Sequence, residues 1–114
     1  MSATNLNTSE ITDPGDAAAI PVTSVDILCG LDSSGGETRT LPDPKMVGQK
    51  AYFISAWTSG MGGTILMTAD SDVDQTGNDK ILFNSDGDFV ALIGVKRLGS
   101  LRWQIIGSDG VALS

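Results

Sequence analysis

The chain has no histidine, a single cysteine and few aromatic residues, and each shortage closes off a kind of chemistry. Without histidine there is no Ser-His or Cys-His nucleophile and no imidazole acid–base catalysis. Cys29 alone supports neither a disulfide framework nor a zinc site of His or paired Cys; set in the apolar stretch Val25–Gly30, it reads as a small buried hydrophobe. No apolar run approaches the ~20 residues that cross a bilayer. The start, Met1 to Glu10, lacks the basic and apolar regions of a secretory signal, which leads us to expect a soluble chain made in a cytosol. Cations are scarce too: 7 Lys and Arg against 14 Asp and Glu leave a net charge of −7. A surface of that sign repels phosphate backbones and anionic headgroups, so neither nucleic acid nor membrane is an expected partner. Aromatics make up only 5%, too few to stack sugar rings, and a chain this short has no room for a deep cleft beside a core. Paired aspartates cutting a glycosidic bond are therefore not expected, and the chain reads as a non-enzyme without cofactors.

What is present is a chain of 114 residues, 40% of them hydrophobic, which is enough for one domain with a modest core. Residues 1–19 are small and polar, broken by Asp13-Pro14-Gly15-Asp16, and punctuated by Leu6, Ile11 and, just beyond, Ile20. They bury too little to order alone and read as an extended arm whose three apolar residues anchor it to a partner. From residue 20 to 114 the texture changes. Short apolar runs (Val22–Cys29, Glu37–Leu41, Gln49–Trp57, Gly63–Thr68, Lys80–Asn84, Asp88–Val95, Leu101–Gly107 and Val111–Ser114) alternate with Gly-, Asp- and Ser-rich breakers. With 14 glycines suiting tight turns, this predicts an all-β domain: a small antiparallel β-sandwich or barrel of about eight short strands.

Two runs are apolar on both faces. Ala51, Phe53, Ser55 and Trp57 share one face of the first, with Tyr52, Ile54 and Ala56 opposite. Phe89, Ala91, Ile93 and Val95 share one face of the second, with Val90 and Leu92 opposite. A small sandwich needs one apolar face per strand, so the excess predicts a homo-oligomer. We place Phe89, Ile93, Trp103 and Ile105 in the core, and Phe53 and Trp57 between chains.

Three charged features bear on function. Asp70, Asp72 and Asp74 have the opening spacing of a calcium loop, but Gln75 and Ile81 stand where the turn glycine and the bidentate glutamate belong. An EF-hand is excluded, leaving a looser calcium site or a solvated hairpin tip. Asp86-Gly87 and Asp109-Gly110 are turn sequences. Arg97 and Arg102, with Lys96, form a basic cluster suited to an ion-pair patch against an acidic neighbour such as another copy.

The order of Glu37-Thr38-Arg39-Thr40-Leu41-Pro42, then Gly87-Asp88-Phe89-Val90-Ala91-Leu92, then Leu101-Arg102-Trp103-Gln104-Ile105-Ile106-Gly107, resembles small β-structured virion proteins of tailed bacteriophages, especially head decoration (cement) proteins. That resemblance covers about four fifths of the chain and implies a homotrimer on the outer capsid surface of a virion. It implies the major capsid protein as partner, whose subunit contacts the trimer stabilises. Related modules occur in tail fibres, so the alternative is a receptor-binding module attaching to host glycans, for which Trp57 beside Thr58–Gly63 is the candidate aromatic. A calcium-dependent carbohydrate-binding module resting on Asp70–Asp79 is a second alternative.

Overall fold

A computed structural model describes residues 8–60 and 62–114, and Leu6 lies outside them. Ten strands run in chain order: β1 (Thr8–Ile11), β2 (Ala18–Ala19), β3 (Asp26–Leu31), β4 (Gly36–Leu41), β5 (Lys50–Ser55), β6 (Thr64–Ala69), β7 (Lys80–Phe83), β8 (Phe89–Arg97), β9 (Ser100–Asp109) and β10 (Ala112–Leu113). They form two five-stranded sheets, ordered β1-β3-β5-β8-β9 and β10-β7-β6-β4-β2. The all-β sandwich expected from the alternation is present.

The first six strands switch sheet at every step. Each therefore pairs in parallel with the strand two places earlier: β1 with β3 and β3 with β5 in one sheet, β2 with β4 and β4 with β6 in the other. From β7 onward the pairing is antiparallel. A purely antiparallel sandwich is thus corrected to a mixed one. The reason lies in the connections: a chain that crosses to the opposite sheet and back returns pointing the way it began.

Between the sheets sit Ile27, Cys29 and Leu31 of β3, Ala51 and Phe53 of β5, Ile65 and Met67 of β6, Ile81 and Phe83 of β7, Val90 and Leu92 of β8, and Trp103 of β9, all buried. The Trp103 indole N–H donates to the Pro42 carbonyl at 2.8 Å, which satisfies its one polar atom inside the core. Burial drives the Cys29 thiol up to about 11, so the sole cysteine is an inert core residue.

The N-terminal segment departs from the expectation of a partner-dependent arm. Its described part supplies the outermost strand of each sheet, β1 beside β3 and β2 beside β4. Ile20 is buried at 1% exposure and Ile11 packs against the core, so neither is free to anchor on another protein. Asp13 fastens the turn between them. Its carboxylate accepts from Arg39 Nε at 2.7 Å and Nη2 at 2.8 Å, and from the amides of Gly15 and Asp32. Arg39, itself 1% exposed, also meets Glu37 and donates to the Thr38 and Asp32 carbonyls. At the other terminus, Ser114 is zipped to the start of β7 through the amides of Asp79 and Lys80.

Candidate interaction surface

The apolar excess lies on the outer face of the sheet that contains β3, β5, β8 and β9. Register aligns Leu28 with Tyr52 and Ala91, Ile54 with Phe89, and Lys50 with Ile93. Leu28, Ile54 and Ile106 are exposed, and Tyr52, Phe89 and Ile93 are half-buried. The other sheet presents Thr38, Thr40, Thr64, Thr68 and Lys80 outward, with Leu66 and Leu82 among them. One broad face of the molecule is therefore greasy and the other mostly hydroxylated.

The alternation expected of β5 and β8 is present with its faces exchanged. Phe53 is fully buried in the core of its own chain, so it does not pack between chains, while Phe89 and Ile93 stand outside the core. Because side chains alternate with period two, choosing the wrong face for one residue moves its whole set. Trp57 is half-buried against its own core, and its indole lies over Gly62, where a Cβ would collide with it. Trp103 is in the core as expected, and Ile105 packs against it.

The basic cluster and the acidic loop turn out to be one structure. Asp72 Oδ1 accepts from Arg97 Nη2 at 2.9 Å and from Arg102 Nη1 at 2.8 Å. Those guanidiniums find an acidic neighbour within the same chain. Hydrogen bonding from Arg102, then from Arg97, holds the Asp72 carboxyl below the usual carboxylate range although burial opposes it. Asp74 turns inward to its own loop, accepting from the amides of Thr76 and Asn78 and the Asn78 side chain. Burial raises its pKa, but these donors prevail and leave it lowered. Asp70 stays exposed. Asp72 and Asp74 are thus committed to different partners, and among the described residues no group of three or more His, Cys, Asp or Glu could hold a metal ion. Val73 of this loop accepts from the Ile105 amide, covering the edge of β9.

The two ends of the sandwich differ in charge. At the end where β3 and β5 finish, the connecting turns and their flanks hold Asp13, Asp16, Asp32, Asp86, Asp88 and Asp109, and the cation that reaches them is the buried Arg39, on Asp13. At the end where β3 and β5 begin lie Lys45, Lys50, Lys80, Lys96, Arg97 and Arg102, all but one of the 7 cations. Asp26, Asp43, Asp70, Asp72, Asp74 and Asp79 balance them there. The surplus negative charge is thus gathered toward one end.

No family model and no curated protein matches the chain.

The balanced end is organised by one buried amide. Gln49, fully buried, donates through Nε2 to the Val22 carbonyl at 3.0 Å and the Ser24 carbonyl at 2.7 Å, and accepts from the Lys45 amide at 2.6 Å. It thereby ties together the loops that lead into β3 and β5. Gly94 lets the second loop lie flat on β8: a Cβ there would sit 2.6 Å from the Met46 carbonyl oxygen. Neither Gln49 nor Gly94 stood out in the sequence. The one signal was the Gly48-Gln49 break before an apolar strand.

Proposed function

We propose that this chain is a structural virion protein: a phage head decoration protein that assembles as a homotrimer on the outer capsid and stabilises contacts between major capsid protein subunits. The observation that carries the reading is the outer face bearing Leu28, Tyr52, Ile54, Phe89, Ile93 and Ile106, apolar surface that one copy leaves uncovered. Identical chains packing there would bury it. A trimer then presents three copies of its docking surface to a symmetric shell. Once one copy is seated, the others bind at high effective concentration, so modest contacts sum to slow release. Bound across seams between shell subunits, the trimer opposes their separation without any chemical step. The segregated negative charge suits a particle exterior, away from packaged DNA. Attachment to host glycans calls for an aromatic at a loop tip, and the candidate, Trp57, is half-buried, so the decoration reading is preferred.

The test mixes the fluorescently labelled protein with undecorated heads and, separately, with host cells. Saturable binding to heads and none to cells is expected. Binding to cells alone would overturn the reading. For self-association, Ile54→Lys and Ile106→Lys, on the exposed face, should reduce the trimer to single copies in sedimentation while far-UV circular dichroism stays unchanged.

A further inference from the structure

The β8–β9 hairpin turns on Leu98 and Gly99, with φ of 54° and 79°. Positive φ at both central residues belongs to the turn that favours Asn-Gly, Asp-Gly or Gly-Gly. A bulky side chain is strained there. Leu98 is also 78% exposed, the most exposed large apolar residue described. It gains neither backbone comfort nor burial from its own fold.

The same end carries three more exposed apolar side chains, Val25, Met46 and Val47, the last at 64%. Short hydrogen bonds hold their loops against β5 and β8: Lys50 N–H to Val25 O, Gly48 N–H to Gly94 O, and Gly94 N–H to Gln49 O at 2.7 Å. The patch is therefore a rigid platform with a projecting tip. Lys45 and Lys96 stand exposed at its rim, and among the described residues neither has an ion-pair partner. The opposite end has six carboxylates in and beside its turns, met there only by the buried Arg39 on Asp13.

We infer that this end, with Leu98 as the inserted anchor and Val25, Met46 and Val47 around it, is the docking end, and that it seats in an apolar pocket rimmed by carboxylates on a shell protein. The inference rests on the decoration reading and adds to it which end faces the shell. Charge selects the occupant. The chain as a whole repels polyanions, so Lys45 and Lys96 serve a local set of carboxylates better than a DNA or lipid surface. The acidic end then points away from the particle.

The decisive variant is Leu98→Asn, because Asn tolerates positive φ. It should leave the melting temperature unchanged or raise it, keep the oligomer, and weaken binding to undecorated heads by at least about tenfold, the loss expected for one buried leucine side chain. Lys45→Glu with Lys96→Glu should slow association with the same heads at low salt, a difference that shrinks as salt is added. Unchanged head binding by Leu98→Asn overturns the inference and leaves the decoration reading standing. Failure of the wild type to bind undecorated heads overturns both. Loss of the oligomer in Leu98→Asn, or wild-type binding to vesicles of phosphatidylserine, would assign the tip to another partner and overturn it as well.

Discussion

Asp13 and Arg39 show how much one side chain can determine in a domain this small. Arg39 is 1% exposed, so its guanidinium depends on the carboxylates and carbonyls gathered round it. Burial pushes the Asp13 carboxyl up, but the Arg39 hydrogen bond and the Asp32 and Gly15 amides outweigh it and hold the group below its usual range. A carboxyl depressed in the fold stabilises it fully above the ordinary carboxylate range, and that contribution drains away as pH falls through the depressed value. Asp13→Asn should cost roughly 2–3 kcal/mol at neutral pH, since it removes the bidentate carboxylate of a buried guanidinium and leaves it with Glu37. Chemical denaturation at neutral pH and at pH 3 should show the wild type losing more stability on acidification than this variant. Cys29 offers a second check. With its thiol raised to about 11, it should resist a thiol reagent at pH 8 until denaturant is added. Arg39 was partly legible in the sequence: in Glu37-Thr38-Arg39-Thr40-Leu41 it has the parity of Leu41 and therefore faces inward. Its partner was not, because Asp13-Pro14-Gly15 reads equally well as a plain turn.

Strands reveal where alternation informs and where it stops. Each of the eight apolar runs contains or overlaps a strand from β3 to β10, because turn residues bound them on both sides. β1 and β2 were hidden. They are short and outermost, made of small or polar residues apart from Ile11, ordered by neighbours already in place, with little hydrophobic drive of their own. Pairing direction was hidden as well, since coils of unequal length leave no repeat: Thr8 aligns with Asp26, but Asp26 with Lys50. The inner face of β5 and β8 could not be chosen because both faces are apolar. That choice has measurable consequences. Phe53→Ala should destabilise the single chain by about 3–5 kcal/mol in a denaturant titration. Phe89→Ser should cost the single chain much less and act mainly on self-association. Ile20→Ala, in the segment read from sequence as an arm, should cost about 2–5 kcal/mol, as a core position does.

For the molecule as a whole, pairing between stretches far apart in the chain, parallel and antiparallel alike, sets the pace of folding. Leu41 finds Ala69 and Lys50 finds Ile93, so many loops must close before any sheet is complete. Refolding in stopped-flow fluorescence, read through Trp57 and Trp103, is expected in roughly the millisecond-to-second range of all-β domains. The tethering of Ser114 to Asp79 and Lys80 has a practical corollary under the proposed decoration role. If the platform seats on a shell as inferred, a tag appended after Ser114, which emerges beside it, is trapped beneath it. A peptide spliced between Asp86 and Gly87, in an exposed turn at the far pole, would on the same proposal project outward, open to antibodies and clear of the proposed attachment footprint.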